Sequence, residues 1–283
     1  MVLNRQAVRE CAALGETFRD KITLGLFGLV APTINNAGRR RWRLVSSLMP
    51  NVWLKPKRLR GLRLLIDPAD WSQTMIFDEV FLKGSYDLTK VKFQPSVIID
   101  CGAHIGLFSL LARSDFPNAD LVIYEPNRGN ASFIHNQIAR NGLDAAFHQS
   151  AVSTASGELD FVAVNSHGGR LEGHETDGVS ADRSPIYKVK VIDFCAELAR
   201  LRPASLLLKM DVEGEERSLL PAILPCLPAQ TAIFFETHSG QLGWREAERL
   251  LLASGFQVEK INDRGLYCDG FAERDARGTS KCH

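Results

Sequence analysis

Residues 100–106 have the types and spacing of a ligand-binding turn. An apolar run at residues 97–99 predicts a buried strand that ends at Asp100. Because Gly102 has no Cβ, a ligand can approach the backbone there and a positive φ costs little, while Gly106 permits close packing of the next helix on the strand. Free N–H groups at the start of that helix would hold an anion such as an amino-acid carboxylate, and Ala103, between the two glycines, is a candidate cofactor contact. Asp100 could bind an ammonium group.

The glycine spacing distinguishes between nucleotide cofactors. The pattern is D-x-G-x-x-x-G, whereas dinucleotide-dependent enzymes usually carry G-x-G-x-x-G, and this chain has no G-x-G. The spacing therefore predicts a site for S-adenosyl-L-methionine. Two alternatives stay open: a nicotinamide-dependent oxidoreductase on the same fold, against which the spacing argues, and a non-enzymatic nucleoside-binding module.

A carboxylate at the end of the next predicted strand supports a nucleoside site. Glu125 comes nineteen residues after Gly106, and an acidic residue in this place can accept hydrogen bonds from both ribose hydroxyls. Pro126 then ends the strand, and Asn127 can cap the following helix. The alternative interpretation is that Glu125 is only a favourable charge at a helix N-terminus.

Acidic residues and a histidine follow two later strands, where an acceptor would be activated. Asp211 ends one strand and Glu213 lies two residues on. Their open roles are substrate hydrogen bonding, general base, or oxygen ligand to a divalent metal. Glu236 and His238 end the next strand. His238 is a candidate base for a hydroxyl proton, since its ordinary pKa lies near neutrality, or else a structural histidine.

Strands and helices alternate from residue 97 onward, which predicts parallel β-α-β units in a Rossmann-like, doubly wound α/β sheet. In such sheets sites lie at the carboxyl ends of the strands. Strands are predicted at residues 62–66, 97–99, 121–124, 145–150, 158–164, 186–191, 206–210, 232–235 and, last, 256–261. Helices are predicted at residues 72–82 with Ser72 as cap, 105–113, 127–140, 193–201 with Asp193 as cap, 215–224 and 244–253.

The chain resembles the FkbM-type family of S-adenosylmethionine-dependent methyltransferases over about residues 71–262. The motifs that carry the resemblance are residues 100–106, 125–127, 150–153 with 157–158, and above all Lys-Met-Asp-Val-Glu-Gly-Glu-Glu at 209–216. His104 departs from the family, which more often has Asn there. The resemblance implies a class I methyltransferase sheet, methylation of hydroxyls on sugars, glycolipids or secondary metabolites, and Ser150 and Ala151 near the adenine.

Charge and composition suggest three regions: a basic, mostly helical extension at 1–70, the Rossmann-like domain at 71–270 and a polar tail at 271–283. Residues 1–63 hold thirteen Lys or Arg and three Asp or Glu, although the whole chain has a net charge of +1. This excess suggests an anionic membrane surface or a protein partner, or a solvated face that pairs with the acidic domain. Nucleic acid is disfavoured because the chain has no Pro-Pro pair, a feature of the methylation motif in enzymes that act on nucleic-acid amino groups.

The remaining sequence signals concern location and access. No apolar run is long enough to span a bilayer, and the charged first twenty residues argue against a signal peptide. Six scattered cysteines predict buried free thiols in a reducing cytoplasm, with the basic extension able to place the protein at a membrane periphery. Residues 165–185, which include His167 and His174, are polar and rich in glycine, and are expected to be a lid or a loose insertion.

Overall fold

The computed structural model describes residues 12–13, 15–22, 51–68, 70–163, 169–171, 185–238 and 240–275. The chain divides into two compact units. One comprises Met1–Gly84 and Phe133–Leu143, and the other comprises Ser85–Ser132 and Asp144–His283. Most of the predicted N-terminal helices and of the predicted lid at 165–185 lie outside the described residues. The predicted three-region division stays a prediction.

A seven-stranded sheet forms the centre of the larger unit. Its order is β12 (Gln257–Asp263), β13 (Tyr267–Arg274), β11 (Gln230–His238), β10 (Ser205–Met210), β3 (Val97–Cys101), β4 (Asp120–Tyr124) and β5 (Ala146–His148). Strand β13 is antiparallel to both of its neighbours, β11 and β12, and the other neighbouring pairs of this sheet are parallel. The sheet is Rossmann-like, α/β and mostly parallel, as the sequence predicts.

The central strands form because continuous apolar runs can be buried on both faces of a parallel sheet. Every residue of β3 and of β10 is buried. The helices of this sheet are α2 (Leu107–Asp115), α4 (Phe194–Leu201), α5 (Glu216–Ile223) and α6 (Gly240–Ala253), and α3 (Arg128–Asn141) runs from one unit into the other. Asp193 caps α4 as predicted, since its carboxylate accepts from the Ala196 N–H at 3.1 Å.

The sequence missed strand β13, because residues 256–261 were expected to be the last strand. The strand continues to Arg274, beyond the domain end predicted at residue 270. Gly270 lies in the middle of β13 and weakens the sequence pattern of a strand. Glycine inside a strand often marks a close approach of another group. A Cβ at Gly270 would collide with the rings of Phe235 and Trp244, so those rings require the glycine.

A second sheet follows β5 in the larger unit. It has four strands in the order β6 (Ala151–Ser153), β9 (Ile186–Asp193), β7 (Gly157–Ala163) and β8 (Gly169–Leu171). β6 and β9 are parallel, whereas β7 is antiparallel to both of its neighbours. Phe161 and Val191 are buried in its small apolar cluster.

The smaller unit contains an antiparallel pair, β1 (Val52–Leu54) and β2 (Leu64–Ile66), followed by α1 (Trp71–Phe77) and a π-helical segment, Asp78–Lys83. The predicted cap Ser72 is wrong: Asp70 caps α1 by accepting from the Ser72 N–H at 2.9 Å. Gly84, at φ 73°, ends the segment. No helix in the described part of the chain is both long and apolar enough to cross a bilayer.

Candidate active site

Four neighbouring strands end at the same edge of the large sheet. In the order β11, β10, β3, β4, they bring His238, Asp211, the turn after Asp100 and Glu125 to that edge. The register aligns Met210 with both Cys101 and Phe235, so β10 and β3 end level and β11 continues three residues further, to His238. The edge thus collects the residues that the sequence singled out, as the rule for parallel sheets predicts.

The glycine turn is shaped by a neighbouring strand. Gly102 has φ 74°, and a Cβ on it would overlap the carbonyl oxygen of Asp211. The Asp211 N–H in turn donates to the Cys101 carbonyl at 3.2 Å. The main chain of Asp211, which follows β10, therefore fills the space that a Cβ on Gly102 would occupy. This contact requires glycine at position 102.

The N–H groups of the turn are already hydrogen-bonded inside the protein. Gly102 and Ala103 both donate to the Tyr124 carbonyl, at 3.0 and 3.1 Å, and Gly106 donates to the Ala103 carbonyl at 2.8 Å. Gly106 has φ 85° and precedes α2. The turn between β3 and α2 therefore uses these three N–H groups to fix its own shape.

Glu125 is held in place by main-chain donors. Its carboxylate accepts from the His104 N–H at 2.7 Å and from the Asn127 N–H at 2.8 Å. The Asn130 side chain adds a longer bond at 3.3 Å. Burial raises the pKa of Glu125 to about 7, although these bonds oppose the shift. Pro126 follows the strand end beside it. Oε1 already accepts two of these bonds and Oε2 accepts one, so Oε2 can still accept a further hydrogen bond.

A buried lysine joins the two halves of the edge, and the sequence analysis missed it. The Lys209 ammonium lies 3.7 Å from an Asp100 oxygen and 3.3 Å from an Asp211 oxygen, and it donates to the Gly102 carbonyl at 2.5 Å. Burial alone would lower the pKa of Lys209, but the nearby carboxylates raise it. The sequence feature that points to Lys209 is its position inside the apolar run 206–210. Burial of an unpaired charge is costly, so a lysine there indicates a charged partner.

Asp100 has one satisfied oxygen and one oxygen that stays open. Its Oδ2 accepts from the Ser109 hydroxyl at 2.6 Å. Its Oδ1 has no hydrogen-bond partner among the described residues and faces the more distant Lys209. Burial raises the pKa of Asp100, and Lys209 opposes that shift.

His238 lies among three carboxylates. Nδ1 is 3.1 Å from Glu216, and Nε2 is 3.3 Å from Glu213 and 3.6 Å from Glu236. Burial alone would lower the pKa of His238, but Glu216 and Glu213 raise it to about 12. An imidazole that keeps both protons has no lone pair for a hydroxyl proton. This geometry therefore gives His238 the role of a buried cation.

Glu216 organises the turn that follows β10. Its two oxygens accept from the N–H groups of Val212 and Gly214, at 2.9 and 2.8 Å. The turn forces Glu213 to φ 52°, a left-handed conformation that is uncommon for a residue with a side chain. The contact of Glu216 with His238 could not be read from spacing.

Asp211, Glu216 and His238 each offer one ligand atom, and these atoms lie within 4.8 Å of one another. Carboxylate oxygen and imidazole nitrogen are ordinary ligands of divalent cations, so this set fits such a cation when the cation replaces a ring proton of His238. Glu216 would have to share its oxygens with two main-chain donors.

Ser150 and Ala151 lie on the far side of Glu125, where β5 passes into β6. Both are buried, and the Ser150 N–H donates to the His148 carbonyl at 2.9 Å. The Ser150 hydroxyl has no hydrogen-bond partner among the described residues, so it is open to a ligand.

Two curated proteins are similar to this chain in sequence. "Methyltransferase 1" of Beauveria bassiana is 26% identical over 163 residues, which cover 51% of this chain and 65% of that protein. "Methyltransferase sdnD" of Sordaria araneosa is 35% identical over 66 residues, 23% of this chain and 24% of that protein. The chain is similar to proteins named methyltransferases. It spans less than two thirds of the length of either relative.

The other comparisons are less specific. No family model matches the chain. A solved structure titled as methyltransferase FkbM from Methylobacillus flagellatus has a TM-score of 0.41 and 14% identity, and covers 95% of this chain and 58% of that one. A methyltransferase structure from Pyrococcus furiosus has a TM-score of 0.43 and 14% identity, and covers 84% of this chain and 98% of that one.

Proposed function

We propose that this protein is an S-adenosylmethionine-dependent methyltransferase that methylates a hydroxyl oxygen on a sugar, glycolipid or secondary metabolite. The observation that carries the proposal is the alignment of the glycine turn, Glu125 and the Asp211–His238 cluster along one edge of a class I sheet. The two relatives named methyltransferases support it.

The residues present fit the cofactor at three places. Glu125 would accept from the ribose hydroxyls, Asp100 Oδ1 would receive the ammonium group, and the Ser150 hydroxyl with Ala151 would contact the adenine. The two open, buried polar atoms are the observations behind this fit, since buried polar groups normally have partners. The cofactor carboxylate needs donors other than the N–H groups of Gly102 and Ala103.

The acidic half of the edge would bind and activate the acceptor. S-adenosylmethionine supplies a methyl group on a positively charged sulfur, which leaves as a thioether. The protein must align the acceptor oxygen and remove its proton. We assign proton removal to Asp211, whose side chain is 28% exposed and is held by Lys209, while Glu213 hydrogen-bonds the acceptor. His238 would stabilise these carboxylates.

Calorimetric titration with S-adenosylhomocysteine tests the cofactor site. Wild-type protein should bind in the micromolar range, and Asp100→Ala and Glu125→Ala should each weaken binding at least tenfold. Asp120→Ala is the matched control, because Asp120 is exposed at the opposite end of β4 and its loss should leave affinity unchanged. Thermal melting of each variant checks the fold. Absence of binding by folded wild-type protein at millimolar ligand would refute the proposal.

Transfer of a labelled methyl group to a panel of sugars, glycolipids and phenolic or aliphatic alcohols tests the acceptor. The reaction is run with added magnesium and with a chelator. Loss of transfer only in chelator would assign a metal to Asp211, Glu216 and His238. Labelling of amines but not hydroxyls would overturn the oxygen acceptor.

We further propose that residues 1–63 bind an anionic membrane surface, because of their large excess of Lys and Arg. Replacing Arg39, Arg40, Arg41 and Arg43 by Ala should reduce sedimentation with anionic vesicles and leave cofactor affinity unchanged. Neutral vesicles are the control. Equal sedimentation of the variant and the wild type would contradict this proposal.

A further inference from the structure

Two cysteines of the larger unit lie together away from the candidate active site. The thiols of Cys195, on α4, and Cys226, at the end of the 3-10 turn Leu224–Cys226, are 3.0 Å apart. Cys226 is exposed and Cys195 is half-buried, whereas Cys101 and Cys268 are buried. The sequence expectation of buried free thiols therefore holds for Cys101 and Cys268 and is wrong for Cys226.

The surrounding packing fixes this pair. Phe194, next to Cys195, is fully buried, and Ile223 and Leu224, which precede Cys226, belong to the same core cluster. Both sulfurs also approach one carbonyl, that of Ala222, at 3.2 and 3.9 Å. A covalent S–S bond of about 2.05 Å needs less than an ångström of further approach, which side-chain rotation can supply.

We propose that Cys195 and Cys226 form a reversible intramolecular disulfide that fastens α4 to the turn after α5. This modification site is independent of the proposed methyl transfer.

The exposed thiol reacts first. The Cys226 thiol loses its proton to solvent, and its thiolate attacks a small-molecule disulfide such as oxidised glutathione; this forms a mixed disulfide and releases one thiol. The Cys195 thiol then loses its proton to solvent, and its thiolate attacks the Cys226 sulfur and releases the second small-molecule thiolate, which takes up a proton to give the second thiol. Two protein thiols are oxidised and one small disulfide is reduced to two thiols. Burial, with the hydrogen bond to Cys226, raises the pKa of Cys195 to about 12, so Cys195 is the slower nucleophile.

The test uses the full chain with Cys11→Ser and Cys282→Ser, which leaves Cys101, Cys195, Cys226 and Cys268. Native protein is incubated with oxidised glutathione, then denatured for thiol titration, intact mass and peptide mapping. We expect half of the four thiols to be lost, no glutathione to be retained, and a cross-linked peptide pair that contains Cys195 and Cys226. Dithiothreitol should restore all four thiols.

Single variants separate the two steps. Cys195→Ser should stop at one glutathione bound to Cys226, because the second nucleophile is missing. Cys226→Ser should keep its three remaining thiols, because Cys195 alone is half-buried and slow. Four intact thiols after oxidation, retained glutathione in the parent protein, or a cross-link between other cysteines would each overturn the proposal.

Discussion

The two halves of the sheet edge hold their carboxylates in different ways. In the glycine-turn half, residues 100–106 and 125–127, Glu125 is held by main-chain N–H groups. In the acidic half, residues 209–216 and 236–238, carboxylates are balanced by the cationic side chains of Lys209 and His238. The first half therefore depends on backbone shape and the second on charge balance.

This difference suits the two roles proposed above, cofactor binding in the glycine-turn half and acceptor binding in the acidic half. Glu125 is buried within a fixed turn, which suits an invariant cofactor. The side chains of Asp211, Glu213 and Glu236 are about a quarter exposed, which suits contact with an exchangeable acceptor. Burial also raises the pKa of Glu236, and the neighbouring Asp211 adds to that shift. Glu236 therefore keeps its proton to a higher pH than an exposed glutamate does.

The largest expected effect tests the charge balance at Lys209. Lys209→Met removes the cation shared by Asp100 and Asp211, and a buried charge without its partner costs about 3–5 kcal/mol of unfolding free energy. Urea denaturation measures this loss. Lys209→Arg keeps the charge and should retain part of the stability.

The matched control is Lys188→Met. Lys188 pairs with Asp160 at 3.2 Å, but both side chains are exposed, so its removal should cost less than about 1 kcal/mol. Equal losses for Lys188→Met and Lys209→Met would show that the acidic half does not depend on its buried cation.

The next effect tests the backbone shape at Gly102. Gly102→Ala combines a positive φ with overlap on the Asp211 carbonyl, and we expect a loss of about 2–4 kcal/mol. Gly142→Ala is the control, because Gly142 has φ 59° but nothing within 4 Å of an added Cβ. It should lose about 1 kcal/mol. Similar losses in both variants would contradict the role of the Asp211 contact.

A smaller effect concerns the pH dependence of cofactor binding. Because the pKa of Glu125 is raised to about 7, its carboxyl becomes protonated as the pH falls below that value. Ribose hydroxyls donate better to the ionised form, so affinity for S-adenosylhomocysteine should fall about tenfold from pH 8 to pH 6. Calorimetry across this range measures it.

Glu125→Gln should bind more weakly and with little change over the same range. The sign for stability is the reverse of that for binding. Since burial raises the folded pKa above the ordinary value of 4.5, ionisation of Glu125 reduces the stability of the folded state as the pH rises toward about 7. If Glu125→Gln showed the same pH dependence of S-adenosylhomocysteine affinity as the wild type, Glu125 would not be part of the cofactor site.

The smallest effect tests the hydrogen bond between Glu197 and Tyr124, the residue whose carbonyl accepts from the glycine turn. Glu197 accepts from the Tyr124 hydroxyl at 2.6 Å, and the carbonyl of Tyr124 holds the glycine turn. The Arg200 hydrogen bond, aided by that of Tyr124, lowers the pKa of Glu197 to about 2. Its contribution is therefore full above the ordinary pKa and is lost as the pH falls from about 4.5 to about 2.

Glu197→Gln should cost about 1 kcal/mol at pH 7, discounted for partial exposure, and less at pH 3. Urea denaturation at both pH values measures it, with the exposed Glu158→Gln as control. A loss that stays constant between pH 7 and pH 3 would show that ionisation of Glu197 does not contribute.

The sequence alone determined the local features of this protein. The apolar runs of β3 and β10 predict buried strands, because such runs are stable where both sheet faces are covered. The Asp193 cap and the positive φ of Gly102 also follow from local chemistry. The positions of Asp100, Glu125, Asp211 and His238 at one edge follow from the rule for parallel strands.

Only the tertiary structure decided what each of these residues contacts. Spacing could not show that the Asp211 carbonyl requires Gly102, that Lys209 joins two strand ends, or that His238 lies among carboxylates. Nor could it show strand β13, whose Gly270 makes room for two aromatic rings. The physical reason is shared: hydrogen bonds, ion pairs and close packing join residues distant in sequence, and a local pattern carries no record of those partners.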